Sequence, residues 1–165
     1  MWLHPLQILP EISREKDTVA QNQAMQLAAD LFLRMMSGLL DVFGGDVLNG
    51  VVFLAILRAN VHHLPAWALS EYTAADGVFL DSERRPISVL RIADSLGLSY
   101  ETVRRRVNQL VADGYCVRVG RNGVVVSAEI VRRADFLALG AECRTAVRAL
   151  VRDAHRSSIL EDIAS

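Results

Sequence analysis

Apolar residues recur at helical spacing from Asp17 or Thr18 to about Phe43, where Ala24, Leu27, Ala28, Leu31, Met35, Leu39 and Val42 fall on one face. Gly44 and Gly45 stop that helix, and Asp46 is placed to cap a second one from Val47 to about His62. Between Val51 and Leu57 this second helix is apolar nearly all round, which predicts a central, buried position. Residues 1–16 read as an N-terminal arm: Pro5 and Pro10 oppose helix, while Trp2, Leu3, Leu6, Ile8 and Leu9 offer apolar side chains to a partner subunit. Leu64 to Pro86 is a long connection in which "PAWALSEYTA" predicts a short helix with Pro65 near its first turn.

After Pro86 the signals come closer together. A short helix is expected over roughly Ser88 to Leu96, ending at Gly97, where a residue without Cβ suits a left-handed backbone. Ser99 caps the next helix, Tyr100 to about Ala112, which Gly114 stops. The β-branched runs Tyr115 to Val119 and Gly123 to Val126, joined by "GRNG", predict a hairpin. Ser127 then caps a last helix from about Ala128 to about His155, with an interruption at Gly140. Helix, glycine turn, helix and hairpin in that order define a mostly α winged helix-turn-helix: a three-helix core plus a two-stranded wing, with long flanking helices for dimerisation. The expected division is an arm and dimerisation helix over 1–45, a DNA-binding domain over 46–127 and a dimerisation helix over 128–165.

Charge sharpens this picture. The net charge of the 165 residues is -1, but Arg84 to Arg133 holds ten arginines against Asp94, Glu101, Asp113 and Glu129, a local excess of six positive charges. Clustered positive charge in a near-neutral chain is the footprint of a polyanion site. Two cysteines, Cys116 and Cys143, make no disulfide framework, and Met1 to Glu15 lacks the cationic start of a secretory signal, so a reduced, cytoplasmic protein is expected. The apolar run Val51 to Leu57 is far short of the roughly 20 residues of a membrane span, so no membrane is expected.

The segment "ISVLRIADSLGLSYETVRRRVNQLVADGY" carries Ala93 where two helices cross, Gly97 in the turn and Val103 facing back to Ile92 and Leu96. With the wing "VRVGRNGVVV" it resembles bacterial winged-helix regulators, and with its flanking helices it is most similar to the MarR family. That resemblance implies a homodimer with helices on both sides of the wing, bound to double-stranded DNA. On the helix wheel, Val107 and Leu110 lie within about 40° of Val103 and define the buried face. Arg105, Glu101 and Asn108 point away, with Arg104, Thr102 and Gln109 flanking. Arg105 and Asn108 are the expected base readers in the major groove, with Tyr100, Thr102, Arg104 and Gln109 on bases or phosphate. Arg106 is expected on a phosphate or a side-chain acid, Arg121 at the hairpin tip in the minor groove, and Ser99 with the helix N-terminus at a phosphate.

Other residues read as structure. Arg144, Arg148, Arg152 and Arg156 form a solvated stripe at four-residue spacing, and Met35 and Met36 belong to a core or dimer interface. His62 and His63 with Cys116 match no zinc spacing and "GGDVLNG" lacks the lysine of a phosphate loop, so no metal and no cofactor are expected; Cys143 reads as structural, with an exposed, oxidant-sensing thiol as the less favoured reading. No nucleophile, base and orienting group stand together, and the chain does not read as an enzyme. Sequence-specific transcriptional regulation, and repression since no activation surface is visible, is the expected function. Two other readings fit the residues: an interaction adaptor in which outward Glu101 matters more than Arg105, and a ligand-sensing regulator with a small-molecule effector near Trp67 and Tyr72.

Overall fold

The structure, a computed structural model, describes residues 11–65 and 71–157, with side chains from Thr18 onward. It is mostly helical with a small three-stranded antiparallel sheet. The helices are α1 (Glu11–Val42), α2 (Val47–Val61), α3 (Val89–Leu96), α4 (Tyr100–Ala112), α5 (Ala128–Val131) and α6 (Ala134–Arg156). The strands β1 (Ile87–Ser88), β2 (Val117–Val119) and β3 (Gly123–Val125) lie in the order β1-β3-β2. The described residues form two compact units, one of those up to Met35 with those from Glu142 onward, and one of those between Met36 and Ala141. Among the described residues no single helix is long and apolar enough to cross a membrane.

α1 starts at Glu11, inside the stretch expected to be an arm. Nothing after Pro10 breaks a helix, and once a helix is nucleated each further turn adds hydrogen bonds at little entropic cost. The arm residues 1–10 lie outside the described residues, as do Trp67 and half of the stretch "PAWALSEYTA" expected to be helical. α1 ends as expected, on Gly44 and Gly45 with φ of 58° and 88°, and the Asp46 carboxylate accepts from the Asn49 amide at 3.1 Å to cap α2.

In the larger unit, α2 is the central helix: Val52, Phe53 and Ile56 have no exposed surface, and α3 and α4 pack on it. Phe53 stacks on Phe136 with ring centres 4.7 Å apart, and Phe43 and Tyr115 close the aromatic cluster at 5.3 and 4.9 Å. The Tyr115 hydroxyl donates to the Val42 carbonyl at 3.1 Å, so its polar end is satisfied at the edge of this cluster. The buried polar side chain of the α2 C-terminus is Asn60. Its Nδ2 donates to the carbonyls of Arg85 at 2.8 Å and Val124 at 3.2 Å, and its Oδ1 accepts from the Val126 amide at 3.0 Å. The Asn60 carbonyl also accepts from the Arg85 amide at 2.9 Å. One side chain therefore ties α2 to the entry of β1 and to β3.

The sheet has three strands where two were expected. Ile87 pairs with Val124 and Ser88 with Gly123, while β2 pairs with the other edge of β3. Ser88, expected inside a helix, is instead a strand residue whose hydroxyl caps α3 by accepting from the Arg91 amide at 3.3 Å. Gly123 has to be glycine here: a Cβ would lie 2.6 Å from the Val119 carbonyl oxygen and 2.7 Å from Pro86.

The last helix is broken at Arg132 and Arg133, not at Gly140. The break lets Arg132 pair with Asp76 at 2.6 Å and carries the Arg133 guanidinium over the Tyr115 ring at 4.8 Å. Gly140 has open space around it and stays helical. Ser127 makes no capping bond from its side chain; Asp81 reaches across from the long connection to accept from the Ala128 amide at 2.7 Å. That connection is itself ordered around Asp76-Gly77, where Gly77 has φ 78° and Thr73 bridges Phe79. The Asp-Gly pair was the available turn signal.

Cys116 is 2 % exposed in the core, and burial pushes its thiol up to about 12. A raised pKa means that the folded state prefers the protonated thiol, so this contribution is full below the usual thiol range and is lost as pH rises through about 12. At pH 8 a thiol reagent should label the half-buried Cys143 and leave Cys116 unmodified until denaturant is added. Rapid labelling of both thiols in native buffer would contradict this packing.

Candidate nucleic-acid interface

α3 and α4 are built by local signals that agree. Val89, Ile92 and Ala93 form the buried face of α3; Gly97 follows at φ 64°, and the Leu98 amide returns to the Ala93 carbonyl at 3.1 Å. Val103, Val107 and Leu110 have no exposed surface and fix the rotation of α4. Gly97→Val places a β-branched side chain in a left-handed backbone, with an expected loss of about 2 kcal/mol, since even an unbranched L-residue costs roughly 1–2 kcal/mol there. The open space around Gly97 means that strain alone acts, so Gly97→Ala should lose less. Equal melting temperatures for the Val variant and the parent would tell against this turn.

The outward face of α4 is highly polar, and most of its side chains already have partners. Arg104 holds Glu101 with both Nε and Nη2, at 2.8 and 2.7 Å. This bond keeps the Glu101 carboxyl below the usual range and raises Arg104. Gln109 donates to both carboxylate oxygens of Asp113 at 2.9 and 3.0 Å. Ser99 accepts from the Thr102 amide at 3.2 Å as the N-cap, and its hydroxyl shares a hydrogen bond with that of Thr102. Arg106 turns toward the core and pairs with Asp46, the α2 cap, so an acid rather than a phosphate holds it in the free protein. Arg105 is exposed and makes no hydrogen bond or salt bridge with the described residues.

The structure brings one subset of these residues together. Tyr100, Arg104 and Asn108, four residues apart along α4, line an open concavity of about 400 Å³ together with Ser88, Val89 and Leu90 and with Arg118 and Asn122 of the hairpin. Arg118 Nη2 donates to Asn108 Oδ1 at 2.6 Å across this concavity. Arg105, Thr102 and Gln109 lie on α4 outside it, and Arg121 is exposed in the turn between β2 and β3. Sequence reasoning missed Arg118 and Asn122. The signal was the polar position in "VRV", flanked by two valines in a short strand beside a basic helix. Tyr72, offered as part of an effector site, is half-buried.

Residues 80–115 match a family model described as winged helix-turn-helix DNA-binding. The matched stretch holds β1, α3, the glycine turn and α4, and ends just before the hairpin. No curated protein and no solved structure matched the chain. The match supports a winged helix-turn-helix DNA-binding regulator and points away from an enzyme.

Proposed function

We propose that this protein is a sequence-specific, homodimeric transcriptional regulator, most like the MarR family in architecture, that acts in the cytoplasm as a repressor. α4 enters the major groove, with Arg105 and Asn108 on base edges and Tyr100, Thr102, Arg104 and Gln109 on bases or phosphates. The β2–β3 hairpin serves as the wing, with Arg121 at the adjacent minor groove and Ser99 near a phosphate. Arg106 keeps its bond to Asp46 or exchanges it for phosphate. The observation that carries this reading is the concavity where Tyr100, Arg104 and Asn108 of α4 face Arg118 and Asn122 of the hairpin, donor-rich on both sides.

Dimerisation is assigned to the segments that flank 46–127. Val19, Met25, Phe32 and Leu33 of α1 and Val147 and Val151 of α6 are between 47 and 71 % exposed, more apolar surface than a monomer needs to leave in water. A two-fold dimer presents two α4 helices to half-sites about one DNA turn apart. Sedimentation should give twice the chain mass, and anisotropy with a labelled random duplex should show affinity falling at least about tenfold between 50 and 200 mM salt. A monomer whose weak binding ignores salt would defeat the proposal.

A further inference from the structure

The two polar pairs on the reading face have a chemical consequence for which bases the protein prefers. Arginine only donates, so the atom of Asn108 that faces Arg118 has to be Oδ1, and the orientation of the amide is thereby determined. Both Nδ2 hydrogens are then free for a ligand, whereas Oδ1 keeps only one of its two lone pairs. An asparagine that pairs bidentately with adenine must accept from the adenine N6 amino group as well as donate to N7. With Oδ1 engaged, Asn108 is biased toward donating. Beside it, Glu101 grips Arg104 through Nε and Nη2, which leaves the Nη1 hydrogens and one on Nη2 outside that bond.

We propose that Glu101 and Arg118 are positioning residues for base readout, which hold Arg104 and Asn108 as a paired set of donors selecting guanine, whose O6 and N7 are both acceptors. This rests on the DNA-reading function proposed above and names its substrate preference. Exposed pairs of this kind contribute little to folding stability, because solvent screens them. Their effect is to restrict two flexible side chains before DNA arrives, so that less conformational freedom is lost on binding.

The two functions of Glu101, orienting an arginine and placing a negative charge on the DNA face, make opposite predictions for one variant. E101Q removes an anion that phosphate repels, so affinity for non-specific duplex should rise about two- to fivefold. It also loosens Arg104, so the ratio of specific to non-specific affinity should fall at least about fivefold. R118M releases Asn108 Oδ1 and should move the preference at one position of the half-site from guanine toward adenine. The test uses full-length wild type, E101Q and R118M, each selecting from the same random duplex pool and then titrated against the recovered and scrambled duplexes. Thermal melting should show all three equally folded.

An E101Q protein that keeps its specificity ratio, or an R118M protein with unchanged base preference, overturns the positioning roles while DNA reading stands. Wild type that selects no motif overturns DNA reading, and this inference with it.

Discussion

Asn60→Leu is expected to destabilise the protein by on the order of 4 kcal/mol while leaving its helical content nearly unchanged below the transition. The substitution keeps the size of the side chain and removes every polar atom from it. Arg85 and Val124 each lose a donor and Val126 loses an acceptor, all at a residue with no exposed surface. A buried backbone group left without a partner costs roughly 1–3 kcal/mol, and leucine cannot hydrate what it strands. For a chain of this length that loss corresponds to a fall in melting temperature of roughly 8–16 °C. Asn60→Asp should be similarly harmful for a different reason, since a carboxylate would face the Arg85 and Val124 carbonyls with no donor to offer. Denaturant titration of the two variants checks both. A loss under about 1 kcal/mol for Asn60→Leu would mean that α2 does not anchor the sheet through this side chain. Because β2 carries Arg118 and the turn after it carries Arg121, the same variant should weaken DNA binding near its lowered melting temperature and less so when cold.

The second large effect separates two arginines. Arg105→Ala should cost about 1–3 kcal/mol of affinity for the preferred duplex and little on unrelated sequences, since a base contact carries sequence information. Arg121→Ala should weaken every duplex by a similar factor and reduce the salt slope, since its proposed minor-groove role is mainly electrostatic. Arg105 is exposed and makes no hydrogen bond or salt bridge with the described residues, so its donors are available to a ligand, although its charge also helps to lower the Glu101 carboxyl. Uniform losses from both variants across all sequences would refute the division of roles. A partner-binding adaptor, by contrast, would tolerate Arg105→Ala and respond to Glu101, whose carboxylate is already committed to Arg104.

What could be read before the structure was known follows from how local each feature is. α3, the turn and α4 depend on Ser99, Gly97, Gly114 and a buried stripe within a few residues of one another, and the ends of α4 are as expected. The hairpin was legible for the same reason, in "GRNG" between valine-rich runs. The third strand was not, because two residues carry too little pattern, and Ile87 and Ser88 become a strand only when Asn60 and β3 hold them from a distance in sequence. The break at Arg132 depends on Asp76, and the start of α5 on Asp81, both from the part of the long connection beyond "PAWALSEYTA", to which the sequence pattern assigned no element. At the candidate site, wheel geometry separated buried from exposed positions on α4 correctly. It could not show that Arg104 and Asn108, rather than Arg105, share a concavity with the hairpin, since Arg118 comes from a neighbouring strand.

The most direct measurement is selection of bound fragments from a random double-stranded DNA pool by the purified protein at two salt concentrations. The expected result is a palindromic motif with guanine in each half-site and half-sites about one helical turn apart, recovered at both salts with weaker yield at the higher. A pool that stays unenriched even at low salt would contradict the claim that α4 and the hairpin form a sequence-reading surface.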